Sequence, residues 1–198
     1  MVYYRVDNAR LGESEKDGKM NALIIYWSAT GNTEKVASAI RSSLEEKGVD
    51  VTVVKIADAE NVALYDYDVV FMGSPSYQFL PPDPVIKFVK EKMKQHVESG
   101  DVKLCAPKRP GKRAVTFCTF SGPHTGVNEA IPVGKYLGQF FEHLGFELKG
   151  EWYTVGEFHG RPELSTKGRL GDITGRPNEE DLAEINGKVG ELVDDIGS

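Results

Sequence analysis

Six consecutive residues, Ser28-Ala29-Thr30-Gly31-Asn32-Thr33, set three hydroxyls, a carboxamide and a glycine directly after a short apolar run. The next cation along the chain is Lys35. Such residues wrap hydroxyls and backbone N–H groups around a phosphate where a strand turns into a helix. The glycine–lysine signature of a triphosphate loop and the three-glycine signature of a dinucleotide loop are both absent. The pattern therefore points to a compact phosphate monoester. A plain helix-capping turn would need only one of these hydroxyls.

Two further loops carry candidate chemistry. Gly73-Ser74-Pro75-Ser76-Tyr77-Gln78-Phe79-Leu80-Pro81-Pro82 places two aromatics in a proline-stiffened segment. Tyr77 and Phe79 can stack on a planar ring and exclude water from it, or pack back on the core. Thr119-Phe120-Ser121-Gly122-Pro123-His124-Thr125-Gly126 uses glycines to expose backbone N–H groups, with Phe120 and His124 offering ring faces. A heterocycle rich in acceptors suits those donors. His124 is a candidate proton donor, although a lone loop histidine more often bonds locally or faces solvent. His96, His124, His143 and His159 show no metal-ligand spacing with each other or with Cys105 and Cys118. The two cysteines make neither a CxxC pair nor a disulfide framework and read as buried or half-buried apolar residues.

The elements that must position these loops follow from periodicity. Ala22 to Trp27 predicts a buried strand. Residues 33 to 47 predict a helix with Val36, Ile40 and Leu44 on one face, closed by Gly48. Val51 to Ile56 and Val69 to Met72 predict strands two and three. Asp83 and Pro84 read as an N-cap and first-turn proline, followed by Val85, Val89 and Met93 on one helical face. Ala114 to Thr119 predicts strand four. A helix near 130 to 144 carries Leu137, Phe140, Phe141 and Leu144, and strand five lies within Glu147 to Val155. The last helix starts near Asn178, with Leu182, Ile185, Val189, Leu192 and Ile196 as its stripe. Strands alternating with helices predict an α/β fold, a doubly wound three-layer sandwich with a five-stranded parallel sheet. Ligands in such sheets sit beyond the carboxyl ends of the strands. Two long loops, Phe120 to Ala130 and Gly156 to Pro177, fall at that end.

Composition limits the alternatives. The 198 residues favour one domain, here expected over 20–198 after a charged N-terminal extension over 1–19 that docks through Tyr3 and Tyr4. Hydrophobic residues at 40% and charged residues at 27% exclude wholesale disorder. With 24 basic and 30 acidic residues the net charge is −6, which argues against general nucleic-acid binding. Apolar runs are too short for a membrane span, and no secretory segment is read, so the cytoplasm is the expected compartment. The basic run Lys103 to Arg113 precedes strand four and reads as a solvated turn at the opposite end of the sheet.

The three loops together resemble those of flavodoxin-type FMN-binding proteins. The resemblance rests on SATGNT, GSPSY and TFSGPHTG and spans Met20 to Ser198. It implies strand order 2-1-3-4-5 with FMN at the switch point between strands one and three. It also implies that Ser28, Thr30, Asn32 and Thr33, with the backbone of Ala29 and Gly31, hold the phosphate. Ser74, Pro75, Ser76, Tyr77 and Phe79 would line the isoalloxazine. Thr119, Phe120, Ser121, Gly122, His124 and Gly126 would close its other side. The implied function is electron transfer with a redox protein partner or a small-molecule acceptor, by a monomer or homodimer. The net acidity predicts positively charged partners.

Departures from the family pattern keep a second reading open. One-electron carriers of this type often have a glycine-containing peptide that turns toward the flavin, whereas Ser76 to Pro82 has no glycine and ends in Pro-Pro. NAD(P)H:quinone oxidoreductases of the same fold move two electrons instead. The segment Gly156 to Pro177 carries Arg161, Lys167, Arg169 and Arg176 among Glu157, Glu163 and Asp172, charges that pair locally or meet a pyridine-nucleotide phosphate or an acidic partner. Phe158 or His159 is placed to cover the flavin edge. A third reading, an interaction module that has lost FMN, sits poorly with the intact first loop.

Overall fold

The computed structural model describes residues 19–197. Apart from Lys19, the expected N-terminal extension and its two tyrosines lie outside the described residues. Five parallel strands, β1 (Asn21–Tyr26), β2 (Asp50–Lys55), β3 (Val69–Pro75), β4 (Arg113–Phe120) and β5 (Glu147–Val155), form one sheet in the order β2-β1-β3-β4-β5. The reversal of direction after β1 puts the switch point between β1 and β3, as expected. The helices are α1 (Asn32–Glu46), α2 (Asp83–Glu98), α3 (Ile131–His143), the short α4 (Pro162–Thr166) and α5 (Glu179–Gly197).

Strand alternation splits the core in two. Leu23, Ile25, Val70 and Met72 face α2 and α3, where Val85, Val89, Leu137 and Phe141 meet them. Ala22, Ile24, Phe71 and Phe117 face α1 and α5, where Val36, Ile40, Leu44, Ile185 and Val189 meet them. Burial on both faces is why the central strands read as unbroken apolar runs. β2 sits at the sheet edge, and its residues are exposed or half-buried.

Several local expectations change. Pro82 caps α2, Asp83 is already helical, and its carboxylate makes no capping bond. The buried face of α2 includes Phe88 and Lys92. Lys92 donates to the carbonyls of Glu60 and Val62 at 2.5 and 3.0 Å, so a cation sits on an apolar stripe because backbone acceptors meet it there. Burial pushes its pKa below the usual lysine range. Cys118 is buried as expected, but Cys105 is exposed, in a turn at φ 62° that projects it outward. The basic run 103–113 lies at the amino ends of the strands. It is more than a solvated turn: Arg109 pairs with Asp101 at 3.0 Å and stacks on Tyr65 at 4.1 Å.

Candidate functional site

The loops after β1, β3 and β4 meet at the carboxyl end of the sheet. The first turns on Gly31, which adopts φ 95°, a left-handed conformation that suits glycine. Its N–H donates to Ser28 Oγ at 3.1 Å, leaving the Ser28 hydroxyl proton free to donate outward. No side chain caps α1, so the first N–H groups of the helix point out unclaimed. No carboxylate lies in the loop. The nearest, Glu34, is held by Lys55 at 3.0 Å and by the Tyr26 hydroxyl at 2.8 Å. Those two hydrogen bonds hold its pKa below the usual range. Burial and the adjacent Glu34 push the Tyr26 hydroxyl up to about 12.

Two of the side chains expected around a phosphate brace the loop instead. The Thr33 and Thr119 hydroxyls are buried and bonded to each other at 2.8 Å, tying the start of α1 to the end of β4. Asn32 donates from Nδ2 to the Glu157 carbonyl at 2.9 Å, and its Oδ1 lies 3.4 Å from His159 Nε2. The segment after β5 is thereby fastened to the first loop. Ser28, Thr30 and the backbone N–H groups of Ala29, Thr30, Asn32 and Thr33 remain as donors, whereas the Gly31 N–H, expected at the phosphate, is turned to Ser28 Oγ.

The second loop is a tight hairpin. Tyr77 and Leu80 exchange backbone bonds at 2.9 and 3.1 Å across Gln78 and Phe79, which take φ 50° and 71°. Positive φ at both central positions is the geometry of a type I′ turn, adopted here without glycine. Tyr77, Phe79 and Leu80 are exposed, and Tyr77 stands edge-on to Trp27 at 5.8 Å. Ser74 is fully buried and donates to the Pro75 carbonyl at 2.9 Å, so it supports the loop from within. The Ser76 N–H reaches the Thr119 carbonyl at 2.9 Å, and the Ser76 hydroxyl donates to the Glu129 carbonyl.

The third loop is organised by Glu129, which the sequence reading did not single out. Its carboxylate accepts the N–H groups of His124 and Thr125 at 2.8 and 2.7 Å. Those donors, expected to face a heterocycle, are therefore already engaged. The Gly126 N–H is engaged too, by the Gly122 carbonyl at 3.0 Å. This close return requires glycine at 122: at φ 52°, a Cβ there would stand 2.7 Å from the Gly126 carbonyl oxygen. The N–H groups of Ser121 and Gly122 remain unclaimed among the described residues. Phe120 is buried, and Ser121 donates to the Gly156 carbonyl at 2.8 Å. The His124 ring is exposed and makes no hydrogen bond among the described residues, so the geometry gives it no proton relay.

The arrangement offers an uncharged donor cradle at a helix N-terminus, an aromatic hairpin beside it, and a donor-bearing glycine loop opposite. The family described as Flavodoxin matches residues 24–163 of this sequence. This chain belongs to the flavodoxin family. It is 40% identical over 50 residues to a flavodoxin from Clostridium beijerinckii, covering 25% of this chain and 36% of that protein. It is 25% identical over 196 residues to an NAD(P)H dehydrogenase (quinone) from Archaeoglobus fulgidus, covering 84% of this chain and 93% of that one. Among solved structures, oxidised flavodoxin 1 from Bacillus cereus superposes with a TM-score of 0.63 at 17% identity, covering 88% of this chain and 97% of that chain, which is a likeness of fold.

The loop after β5 is tied back to the first loop. Arg176 and Asp181 form an ion pair, with Arg176 Nε 2.8 Å from Asp181 Oδ2. Asn178 and Asp181 exchange backbone-to-side-chain bonds at 2.9 and 3.1 Å, a capping box that starts α5. The Glu157 N–H reaches the Arg176 carbonyl at 2.8 Å. These bonds run from α5 through Arg176 and Glu157 to Asn32.

Proposed function

We propose that this chain binds FMN at the three-loop site and acts as an electron-transfer protein of the cytoplasm. The observation that carries the reading is the first loop. An uncapped helix N-terminus, a left-handed Gly31, two outward hydroxyls and no carboxylate make a donor set for a dianionic monoester. The residues present therefore fit the phosphate of FMN. Bound FMN would supply the redox chemistry. Ser28, Thr30 and the backbone N–H groups of Ala29, Thr30, Asn32 and Thr33 bind the phosphate, while Gly31 turns the loop and the Asn32 and Thr33 side chains hold it in shape. Pro75, Ser76, Tyr77 and Phe79 wall one side of the ring and exclude water. Ser121 and Gly122 offer N–H donors on the other, in a loop fixed by Glu129. No described helix is long and apolar enough to cross a membrane.

Fluorescence titration of the cofactor-free protein with FMN and with riboflavin tests this. FMN is expected to be quenched on binding and to bind on the order of a hundredfold more tightly than riboflavin, since several charge-assisted bonds go to the phosphate. Equal affinities would remove the phosphate role of the first loop. Unquenched FMN would remove the cofactor.

One observation favours a two-electron NAD(P)H:quinone reductase as a second reading. Turning over the Gln78–Phe79 peptide would give a type II′ turn, which calls for glycine at its first central position, where Gln78 stands. The hairpin therefore lacks an easy peptide reversal with which to favour a one-electron-reduced state. The match along most of the Archaeoglobus NAD(P)H dehydrogenase (quinone) agrees with that reading. Rapid bleaching of the FMN-loaded protein by NADPH under anaerobic conditions would favour it. No bleaching, with one-electron-reduced flavin accumulating on stepwise reduction, would favour the carrier.

A further inference from the structure

The chain leaving β5 reaches the first loop by a short, held segment. Gly156 packs so closely on α1 that a Cβ there would stand 2.7 Å from Asn32 Nδ2. The Glu157 carbonyl accepts Asn32 Nδ2, and the Phe158 N–H donates to the buried Ser165 hydroxyl at 2.9 Å. His159 is the next residue, so its place is set by those bonds. The sequence suggests the flavin edge for it. The structure instead stands its ring against Asn32, the first residue of α1.

The contact fixes which ring nitrogen carries hydrogen. Asn32 gives its amide nitrogen to the Glu157 carbonyl, so Oδ1 is the atom that faces His159. A carboxamide oxygen only accepts, and the 3.4 Å contact therefore takes a hydrogen from Nε2. Nδ1 holds the lone pair of the neutral ring and has no partner among the described residues. A proton added at Nδ1 charges the ring and leaves its contact with Asn32 intact. Histidine is the side chain suited to that change between about pH 5 and 8.

The first loop has no cation of its own, so a dianion held there meets only neutral donors and the helix end. The charged groups on the elements around His159 are engaged elsewhere. Glu34 of α1 is held by Lys55 and Tyr26, and Lys35 lines the groove between α1 and α5 beside Ser38 and Leu182. Glu157 accepts the Gly175 N–H, Glu163 of α4 pairs with Arg161, and Asp181 of α5 pairs with Arg176.

We infer that His159 is a binding residue for the FMN phosphate, gaining a proton at Nδ1 when the dianion occupies the first loop, so that FMN binds more tightly as pH falls through the neutral range. The inference rests on the FMN reading of that loop. Neutral His159 only braces Asn32. Protonated, it sets a cation beside the uncharged donors. The charge of an imidazolium is shared over the ring, so its attraction does not require Nδ1 to touch the phosphate. The proton comes from the buffer, which links binding to pH. The gain is present in full at the acid end of the range and is lost as pH rises. The ring is exposed, so water and salt keep the effect modest.

Fluorescence titrations of the cofactor-free protein with FMN and with riboflavin, from about pH 8.5 to about pH 6.5, test this on the unaltered chain and on His159→Gln. Glutamine keeps a donor for Asn32 and removes the charge. The ratio of FMN dissociation constants, variant over unaltered, is expected to grow from near unity at the alkaline end to roughly fivefold at the acid end. Taking the ratio cancels the titration of the phosphate itself, which falls near about pH 6. Riboflavin should give a ratio of unity throughout. His159→Lys should restore tight FMN binding and flatten the profile. Calorimetry at about pH 7, in buffers of unlike ionisation enthalpy, should show more proton uptake on FMN binding in the unaltered chain than in His159→Gln.

A ratio that stays constant with pH overturns the inference. Held above unity, it makes His159 a brace for Asn32 and nothing more; held at unity, it gives His159 no part in binding. A riboflavin ratio that follows the FMN ratio also overturns it, because the ring would then act on the isoalloxazine. In all three cases FMN still binds, and the cofactor reading stands. FMN left unquenched by the unaltered chain at every pH sinks the cofactor reading, and the inference with it.

Discussion

Thr33, Thr119 and Thr116 show how the same buried side chain serves opposite ends. Thr33 and Thr119 satisfy each other at 2.8 Å and join the first and third loops. Thr116, three residues earlier on β4, is 1% exposed, and its hydroxyl has no partner among the described residues. A hydroxyl taken from water without a replacement bond costs free energy, whereas a methyl of similar size does not. Thr116→Val is therefore expected to raise unfolding stability by about 1 kcal/mol. Thr119→Val should lower it by about 1–2 kcal/mol, because it strands the Thr33 hydroxyl. Adding Thr33→Val to the latter should recover part of the loss. Urea unfolding midpoints at constant slope check all three. A destabilised Thr116→Val would mean that its hydroxyl has a partner, such as a buried water.

At the scale of elements, the Tyr77–Leu80 hairpin trades stability for a place at the site. Left-handed conformations cost non-glycine residues roughly 1 kcal/mol each. Asn-Gly is the pair that a type I′ turn prefers. Gln78→Asn/Phe79→Gly is expected to raise the stability of the cofactor-free protein by about 1 kcal/mol, after allowing for the added freedom of glycine in the unfolded chain. The same change removes an aromatic wall, so FMN affinity should fall several-fold. Thermal unfolding and FMN titration on one preparation separate the two effects. A loss of both would show that Phe79 packs for stability. The hairpin also marks the limit of what was legible. Its aromatics and missing glycine were readable, but its turn type was not, because Gln-Phe carries no turn signal. The five strands and the four long helices were legible because central strands buried on both faces leave apolar runs and the helices leave stripes, whereas α4, a helix of five residues inside what reads as a loop, is too short to show one. The first loop was legible because its residues are contiguous. The bracing roles of Asn32 and Thr33, and the work of Glu129 and Lys92, depend on backbone or hydroxyl partners brought near by folding, which leave no periodic trace.

Across the whole molecule, an ion pair helps fasten α5 to the first loop. Asp181 opens α5, pairs with Arg176, and through Glu157 connects to Asn32 of the first loop. Burial alone would raise the Asp181 pKa. The Arg176 guanidinium and the Asn178 N–H outweigh that and hold it below the ordinary carboxylate value. A carboxyl with a depressed folded pKa adds stability that is fully present above its unfolded value of about 3.9 and is lost as pH falls through the folded value. Asp181→Asn is therefore expected to cost on the order of 2 kcal/mol at pH near 7, a figure reduced for the partial exposure of Arg176. The difference from the unaltered protein should shrink as acid protonates Asp181 in the latter. Its first decline should come below about pH 5. Paired urea curves from neutral to acid pH test this. A gap that persists unchanged into the acid range would mean that the asparagine disturbs the capping box rather than the charge. A gap that closes while FMN affinity stays equal would show that the Arg176–Asp181 pair stabilises the fold without shaping the first loop.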